Sequence, residues 1–413
     1  MFHVFPEHSG TPVQNRGVCF LPVLLPLIRE RMPGSCIAYC QAEKGINRSG
    51  MKSRNYGIDL LRIVSMFYIL ILHTLYQGGV LTNAAAGTMT YRAAWLMEIW
   101  AYCAVDIFAL ISGYVGYSEK PKRIRIASWI TMWLQVVYVG LLCTAVFHIV
   151  MPETVHASDY YRMMFPLTNN LYWYFSAYTG LFMIMPVLNA GIRNLSEETL
   201  KKTFVAVILI FSVYECVTDR FQFNAGYSVI WLMILYCLGA IIRKCHIGEN
   251  WKPLHCLAGI AVLTGIAWLW KLKGFQMEFM KAVINQNTLV SYTSPAVVLS
   301  GILHIALFSK LRFREGMRKL IAYAAPCAFS VYLFNNQILI WVYVMKDRFA
   351  FLGTGRMLKM VPGVLLFSAA FVICSLLADR IRIVLFRFLH VSEAADTAEQ
   401  LIRKWINRFV SIL

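Results

Sequence analysis

Charged side chains are scarce in this chain: they make up 15% of its 413 residues, against 59% hydrophobic residues and a mean hydropathy of +0.58. That balance excludes the two or three soluble domains that the length alone would suggest. Acidic residues are the scarcer sign, 21 against 39 basic, for a formal net charge of +18. The excess is not a nucleic-acid surface, because the basic residues sit in short loops between apolar runs, the pattern of topology determinants in membrane proteins. No Cys-x-x-Cys pair occurs among the eleven cysteines. Cys103, Cys143, Cys216, Cys237, Cys327 and Cys374 lie in apolar stretches and read as buried small hydrophobes, so neither disulfides nor a metal site are expected. The first apolar run is not expected to be a signal peptide, since Arg29, Glu30 and Arg31 follow it where a basic region should precede it.

Residues 1–50 hold Pro6, Pro12, Pro22, Pro26 and Pro33 and are expected to be a disordered extension, with Met51 as the natural start. From there on the chain contains ten apolar segments long enough to span a bilayer: 56–77, 93–117, 126–150, 171–190, 203–218, 227–242, 254–270, 290–308, 320–344 and 361–379. The sequence therefore predicts an all-α fold, a polytopic membrane helix bundle of about ten transmembrane helices. An even number puts both termini on one side. Alternate loops on that side carry 15 basic residues against 10 on the other, which makes both termini cytoplasmic. The bundle is expected over 51–380, followed by a basic amphipathic cytoplasmic tail over 381–413 that lies on the membrane. No soluble catalytic domain is expected, so any chemistry belongs to the bundle.

The first segment is apolar yet carries Asp59, Arg62 and His73. Ionisable groups cost at least a few kcal/mol each in a bilayer centre, so they mark functional pathways when they occur there. Arg62 and His73 are eleven residues apart, three helical turns plus about 20°, which places them on one face and roughly 16 Å apart along the axis. The second segment runs back with Glu98, Tyr102 and Asp106 repeating every four residues on one face. Matching depths suggest two pairs: Arg62 with Asp106 or Asp59 at the inner end, and His73 with Glu98 at the outer end. The bland alternatives are snorkelling for Arg62, an interhelical hydrogen bond for His73 and a helix-dipole role for Asp59.

After Asp106 come Ser112 and Gly113, small enough for close helix approach, and then a basic run with Lys122, Arg123 and Arg125. That run is either a positive-inside signal or a phosphate-binding patch. The fourth segment opens with Tyr172-Trp173-Tyr174-Phe175, which reads as an interfacial aromatic belt or as a platform for a sugar ring. The ninth contains Tyr332, Asn335, Asn336 and Gln337, amides that are costly in an apolar helix unless paired or wetted. They fall at about the level of His73, which implies a polar chamber in the outer half. His148, His156 and His304 lack a partner at useful spacing and read as structural.

These residues resemble the acyltransferase-3 family of bacterial integral-membrane acyltransferases. The likeness rests on Gly57-Ile-Asp-Leu-Leu-Arg62 with His73 following, on Phe108-Ala-Leu-Ile-Ser-Gly-Tyr114, on Tyr172-Trp-Tyr-Phe175, on Tyr236-Cys-Leu-Gly239 and on Val331-Tyr-Leu333. It implies a bacterial cell-membrane enzyme that moves an acetyl group from cytoplasmic acetyl-CoA onto hydroxyls of an envelope or exported glycan. His73 and Arg62 match the family's essential histidine and arginine, and Lys122 and Arg125 fall near its basic pair. Where many relatives carry a second histidine, this chain has Asn335. The combined expectation is a catalytic set of His73, Arg62, Glu98 and Asp59, and a donor site of Arg62, Lys122, Arg123 and Arg125. Trp173, Tyr174, Tyr332, Asn335 and Asn336 would bind the acceptor, and Asp106, Ser112 and Gly113 would be structural. The rival reading is a transporter or lipid-linked glycan flippase, which should show inverted repeats that the two halves lack.

Overall fold

The computed structural model describes residues 54–121, 123–218, 220–273 and 285–411; the expected extension over 1–50 and Lys122 lie outside the described residues. Every regular element among the described residues is a helix. The first, α1 (Tyr56–Tyr76), is capped by Asn55, whose side chain accepts from the backbone N–H of Gly57 at 3.0 Å and of Ile58 at 3.2 Å. The same amide donates to the carbonyl of Ser309 at 2.9 Å, just past α9 (Pro295–Phe308). Gly57 makes that contact possible, since a Cβ there would lie 1.8 Å from the carbonyl oxygen of Phe308. One cap therefore starts a helix and ties it to another.

Helix α1 is apolar on almost every side, and Leu61, Leu70, Ile71 and Leu75 are wholly buried. Of its apolar window 67% is buried, and 72% for the pair α2 (Met89–Ala101) and α3 (Ala104–Gly116), whereas α5 (Trp173–Asn194) and α8 (Pro253–Lys273) reach only 22%. A helix that is hydrophobic all round belongs in the interior. So α1, α2 and α3 lie at the centre, whereas α5 and α8 expose apolar faces suited to lipid.

Among the described residues, six helices are long and apolar enough to cross a membrane, or seven if the bent pair Glu315–Asn336 and Ile340–Gly353 counts as one. All ten expected segments are helical in large part, yet α7 (Val229–Lys244) and α9 have 16 and 14 residues. Their rise is about 24 and 21 Å, short of a hydrocarbon core of about 30 Å. The second expected span is carried by α2 and α3, which together form one 28-residue apolar span, Met89–Gly116, with a turn at Tyr102 and Cys103.

The central helices pack through glycine. A Cβ on Gly113 of α3 would lie 1.9 Å from the carbonyl oxygen of Tyr236, and one on Gly239 of α7 would lie 2.1 Å from that of Leu110. The two backbones approach at matched glycines, as expected for Gly113.

The boundary expected at residue 380 is not a break. Helix α12 (Met357–Phe388) runs through it, and a buried bidentate pair, Arg382 to Asp379 with both bonds at 2.7 Å, belongs to its last turns. The tail begins only at α13 (Val391–Val410), which is amphipathic, with Leu401, Trp405 and Phe409 exposed. Its polar face docks on the start of α4 (Ile126–Val150), where the Ala127 N–H donates to Glu399 at 2.8 Å and Arg403 bonds the carbonyl of Ile124. Arg125, the N-cap residue of α4, makes no side-chain cap, so Glu399 supplies one from across the fold.

Gly239→Val should force α3 and α7 apart and cost about 1–3 kcal/mol or more. Detergent-solubilised variant is expected to melt several degrees lower, and an unchanged melting curve would contradict the close approach. The Ala127 N–H holds the Glu399 carboxyl below its ordinary value, helped by Arg403. Glu399 therefore stabilises docking above the ordinary carboxylate range and loses that effect as pH falls through the lowered value. Hydrogen exchange across α13, corrected for intrinsic rates, should be slow at pH 7 and accelerate below about pH 4, whereas Glu399→Gln should exchange fast at both.

Candidate functional site

A small cleft of about 50 Å³ opens among the central helices. Helix α1 contributes Met66, Ile69 and His73, three residues whose spacing puts them on one helical stripe. Helix α3 adds Ala104, Val105 and Phe108, and α5 adds Trp173 and Tyr174. Phe329 and Tyr332 come from α11 (Ala328–Asn336), and Tyr227 and Tyr292 come from the connections before α7 and α9.

His73 is the one ionisable side chain with a ring nitrogen on this wall. Its Nδ1 is hydrogen-bonded to Oδ1 of Asn335, and its ring edge meets Trp341 at 4.8 Å and 89°. With the amide oxygen accepting, Nδ1 carries the proton and Nε2 keeps its lone pair. Asn335 is fully buried, and its Nδ2 has no partner. The partner expected for His73 was Glu98, and the structure corrects this: the ring bonds Asn335 instead, and Glu98, in α2, interacts with α8. There its electrostatic partner is Lys271, whose Nζ lies 3.8 Å from the centroid of Trp95 and 2.5 Å from Oδ1 of Asn287.

The three amides of the ninth segment also explain its shape. Asn336 donates to the carbonyl of Tyr332 at 3.1 Å, and Oε1 of Gln337 accepts from the N–H of Leu339 at 2.8 Å and of Ile340 at 3.2 Å. Gln337 thereby caps the next helical piece, and the chain bends by 73° where one span over 320–344 was expected. The freed backbone groups are satisfied by side chains, which is what a break inside an apolar bundle requires. The bend leaves Asn335 against His73.

At the other end of α1, Arg62 meets Asp59 at 3.0 Å, one turn away, rather than Asp106. Asp106 is fully buried, accepts from the indole N–H of Trp231 at 3.3 Å, and has a second oxygen without a partner. Ser112 donates to the carbonyl of Phe108 at 3.0 Å. Arg123 and Arg125 are exposed, and Arg125 meets Asp396 of the tail at 3.4 Å. Histidines 148 and 304 bond tyrosines, at 3.2 Å to Tyr160 and 3.4 Å to Tyr68.

The aromatic run of the fourth segment is not a lipid-facing belt. Tyr172, Tyr174 and Phe175 are buried, the Tyr174 N–H donates to the hydroxyl of Tyr332 at 3.2 Å, and Trp173 packs on Tyr227 at 4.6 Å. Four residues at this site, Tyr227, Tyr292, Phe329 and Trp341, were not singled out from the sequence. Tyr227 and Tyr292 sit outside the regular helices, and aromatic residues are common throughout the apolar segments, so nothing local marks these four.

A family model for the acyltransferase-3 family, described as an acyltransferase domain, matches residues 55–380. No curated protein and no solved structure matches the chain.

Proposed function

The chain belongs to the acyltransferase-3 family and is a membrane acyltransferase, and from that premise we propose that it moves an acetyl group from cytoplasmic acetyl-CoA to a hydroxyl of a cell-envelope or exported glycan in a bacterial plasma membrane. The observation that carries this reading is the His73–Asn335 hydrogen bond on the wall of the cleft. A hydroxyl is a poor nucleophile at neutral pH, and an imidazole whose Nδ1–H is held by an amide can present Nε2 as a base. His73 would take the acceptor hydroxyl proton as that oxygen attacks the thioester carbonyl. The carbon–sulfur bond then breaks, and the proton passes from His73 to the departing thiolate of CoA.

Arg62 and the basic residues Lys122, Arg123 and Arg125 suit the phosphates of the donor. Charge-assisted bonds to phosphate are the strong ones, and Arg123 is exposed to make them. Trp173, Tyr174 and Tyr332 line the cleft that would receive the acceptor. Asn335 is better described as positioning His73 than as binding acceptor, because its oxygen is already engaged by the ring. Asn336 is turned back onto its own helix.

His73→Ala should lower transfer of labelled acetyl to the envelope fraction by at least about 10²-fold, the scale of general-base catalysis, with the protein still inserted and monodisperse. Full activity in that variant would sink the proposal. Asn335→Ala should reduce kcat by about ten- to a hundredfold with the KM for acetyl-CoA unchanged, because it frees the tautomer without touching the donor. Arg62→Ala should raise the KM for acetyl-CoA instead.

A further inference from the structure

Helix α13 is divided lengthwise into sectors. At 100° per residue, Leu401, Trp405, Phe409 and Ile402 fall within an arc of about 100°. Their exposures of 61%, 68%, 54% and 37% leave that arc uncovered by the described residues. Next to it, Ala395, Glu399 and Arg403 form the edge that docks on α4: Ala395 is buried, Glu399 accepts from the Ala127 N–H at 2.8 Å, and Arg403 bonds the carbonyl of Ile124. On the opposite side of the apolar arc stand Lys404 and Arg408, both exposed. The helix is thus apolar in one direction, bound to protein along one flank and basic along the other.

What covers the arc follows from where the helix is attached. Helix α12 is long and apolar enough to cross a bilayer, and only Leu389 and His390 separate its last residue, Phe388, from Val391. Val384, Phe388 and Leu389 are exposed, so the apolar outer side of α12 continues into the turn. The docking flank is fastened to the first turn of α4, another helix of spanning length. Both attachments hold α13 at the bilayer surface where those two helices end. Residues 401–410 carry three basic and no acidic side chains, which suits an anionic headgroup layer. We propose that α13 seats its apolar arc in that leaflet, with Lys404 and Arg408 on the phosphates of anionic lipids, and that this seat holds the Glu399 and Arg403 clasp on α4. The amphipathic pattern alone predicts a helix on the membrane; the structure adds what that helix holds. Lipid thereby fixes residues 124–127 at the membrane surface, and Arg123 and Arg125 beside them. The inference stands independently of the acyl-transfer reading.

The test places the photoreactive residue p-benzoylphenylalanine at position 405, on the apolar arc, or at position 400, on the polar face, of the full chain in proteoliposomes. The vesicles contain phosphatidylcholine and phosphatidylglycerol in a three-to-one ratio. Illumination should join position 405 to phospholipid and position 400 to none. Phosphatidylglycerol should be enriched among the captured lipids by about threefold or more over its share of the bilayer, and Lys404→Gln with Arg408→Gln should abolish that enrichment. In a second arm, Trp405→Glu should speed hydrogen exchange of the peptide containing Ala127 by about tenfold or more, with exchange across α1 unchanged as the sign of an intact bundle. Capture of a second copy of the chain by position 405, equal lipid capture at both positions, or no lipid capture overturns the seat. Phosphatidylglycerol captured only at its bulk share overturns the anionic preference. Unchanged exchange at Ala127 in Trp405→Glu overturns the link between the seat and the clasp.

Discussion

A polar group inside an apolar bundle must find a partner, and the placement of α1 follows from how this chain meets that demand. At one end the Asn55 amide satisfies two backbone N–H groups and reaches the carbonyl of Ser309. At the other, His73 is held by Asn335. Between them the helix is buried by its leucines and isoleucines, which supply stability without direction. The two polar contacts supply the direction: they set which face of α1 looks into the cleft. Shifting α1 by one residue would rotate that face by about 100° and lose both.

A break in the ninth segment serves the same site. Glu98 and Asp106, eight residues apart, are about 80° out of phase on a helix, and they meet different partners, Lys271 and Trp231. A continuous ninth span would carry the amides of Asn335, Asn336 and Gln337 past His73 with their backbone fully bonded. The bend at Gln337 uses one amide as a cap and leaves another for the histidine. Irregular backbone is tolerated in such bundles only where protein or a cavity meets it, and here the bend at Gln337 lies next to Asn335, which holds His73 on the cleft wall.

The tail couples to the basic loop before α4. Glu399 caps that helix, while Asp396 lies beside Arg125, one of the residues proposed to hold the donor phosphates. The ion pair is exposed and therefore weak, so it shapes the loop's local charge more than its stability.

Much of this protein was legible without coordinates. Hydropathy alone identifies a membrane bundle, since stretches of some twenty apolar residues have few other solutions. Asp59, Arg62 and His73 stand out because ionisable groups are rare in such stretches, and the small residues Gly57, Gly113 and Gly239 carry the family likeness for a steric reason, the close backbone contacts they allow. What the sequence alone determined was therefore the class of fold, the helix that matters and the ring nitrogen at issue. Tertiary structure decided the partners: Asn335 rather than Glu98 for His73, Asp59 rather than Asp106 for Arg62, and an inward rather than lipid-facing set for Tyr172 to Phe175. Periodicity fixes angles within one unbroken helix, which is why the Asp59–Arg62 pair was already open to the sequence, whereas the Asn335 contact and the inward aromatic run depend on the bend at Gln337 and on how separate helices dock, which no single stretch of sequence encodes.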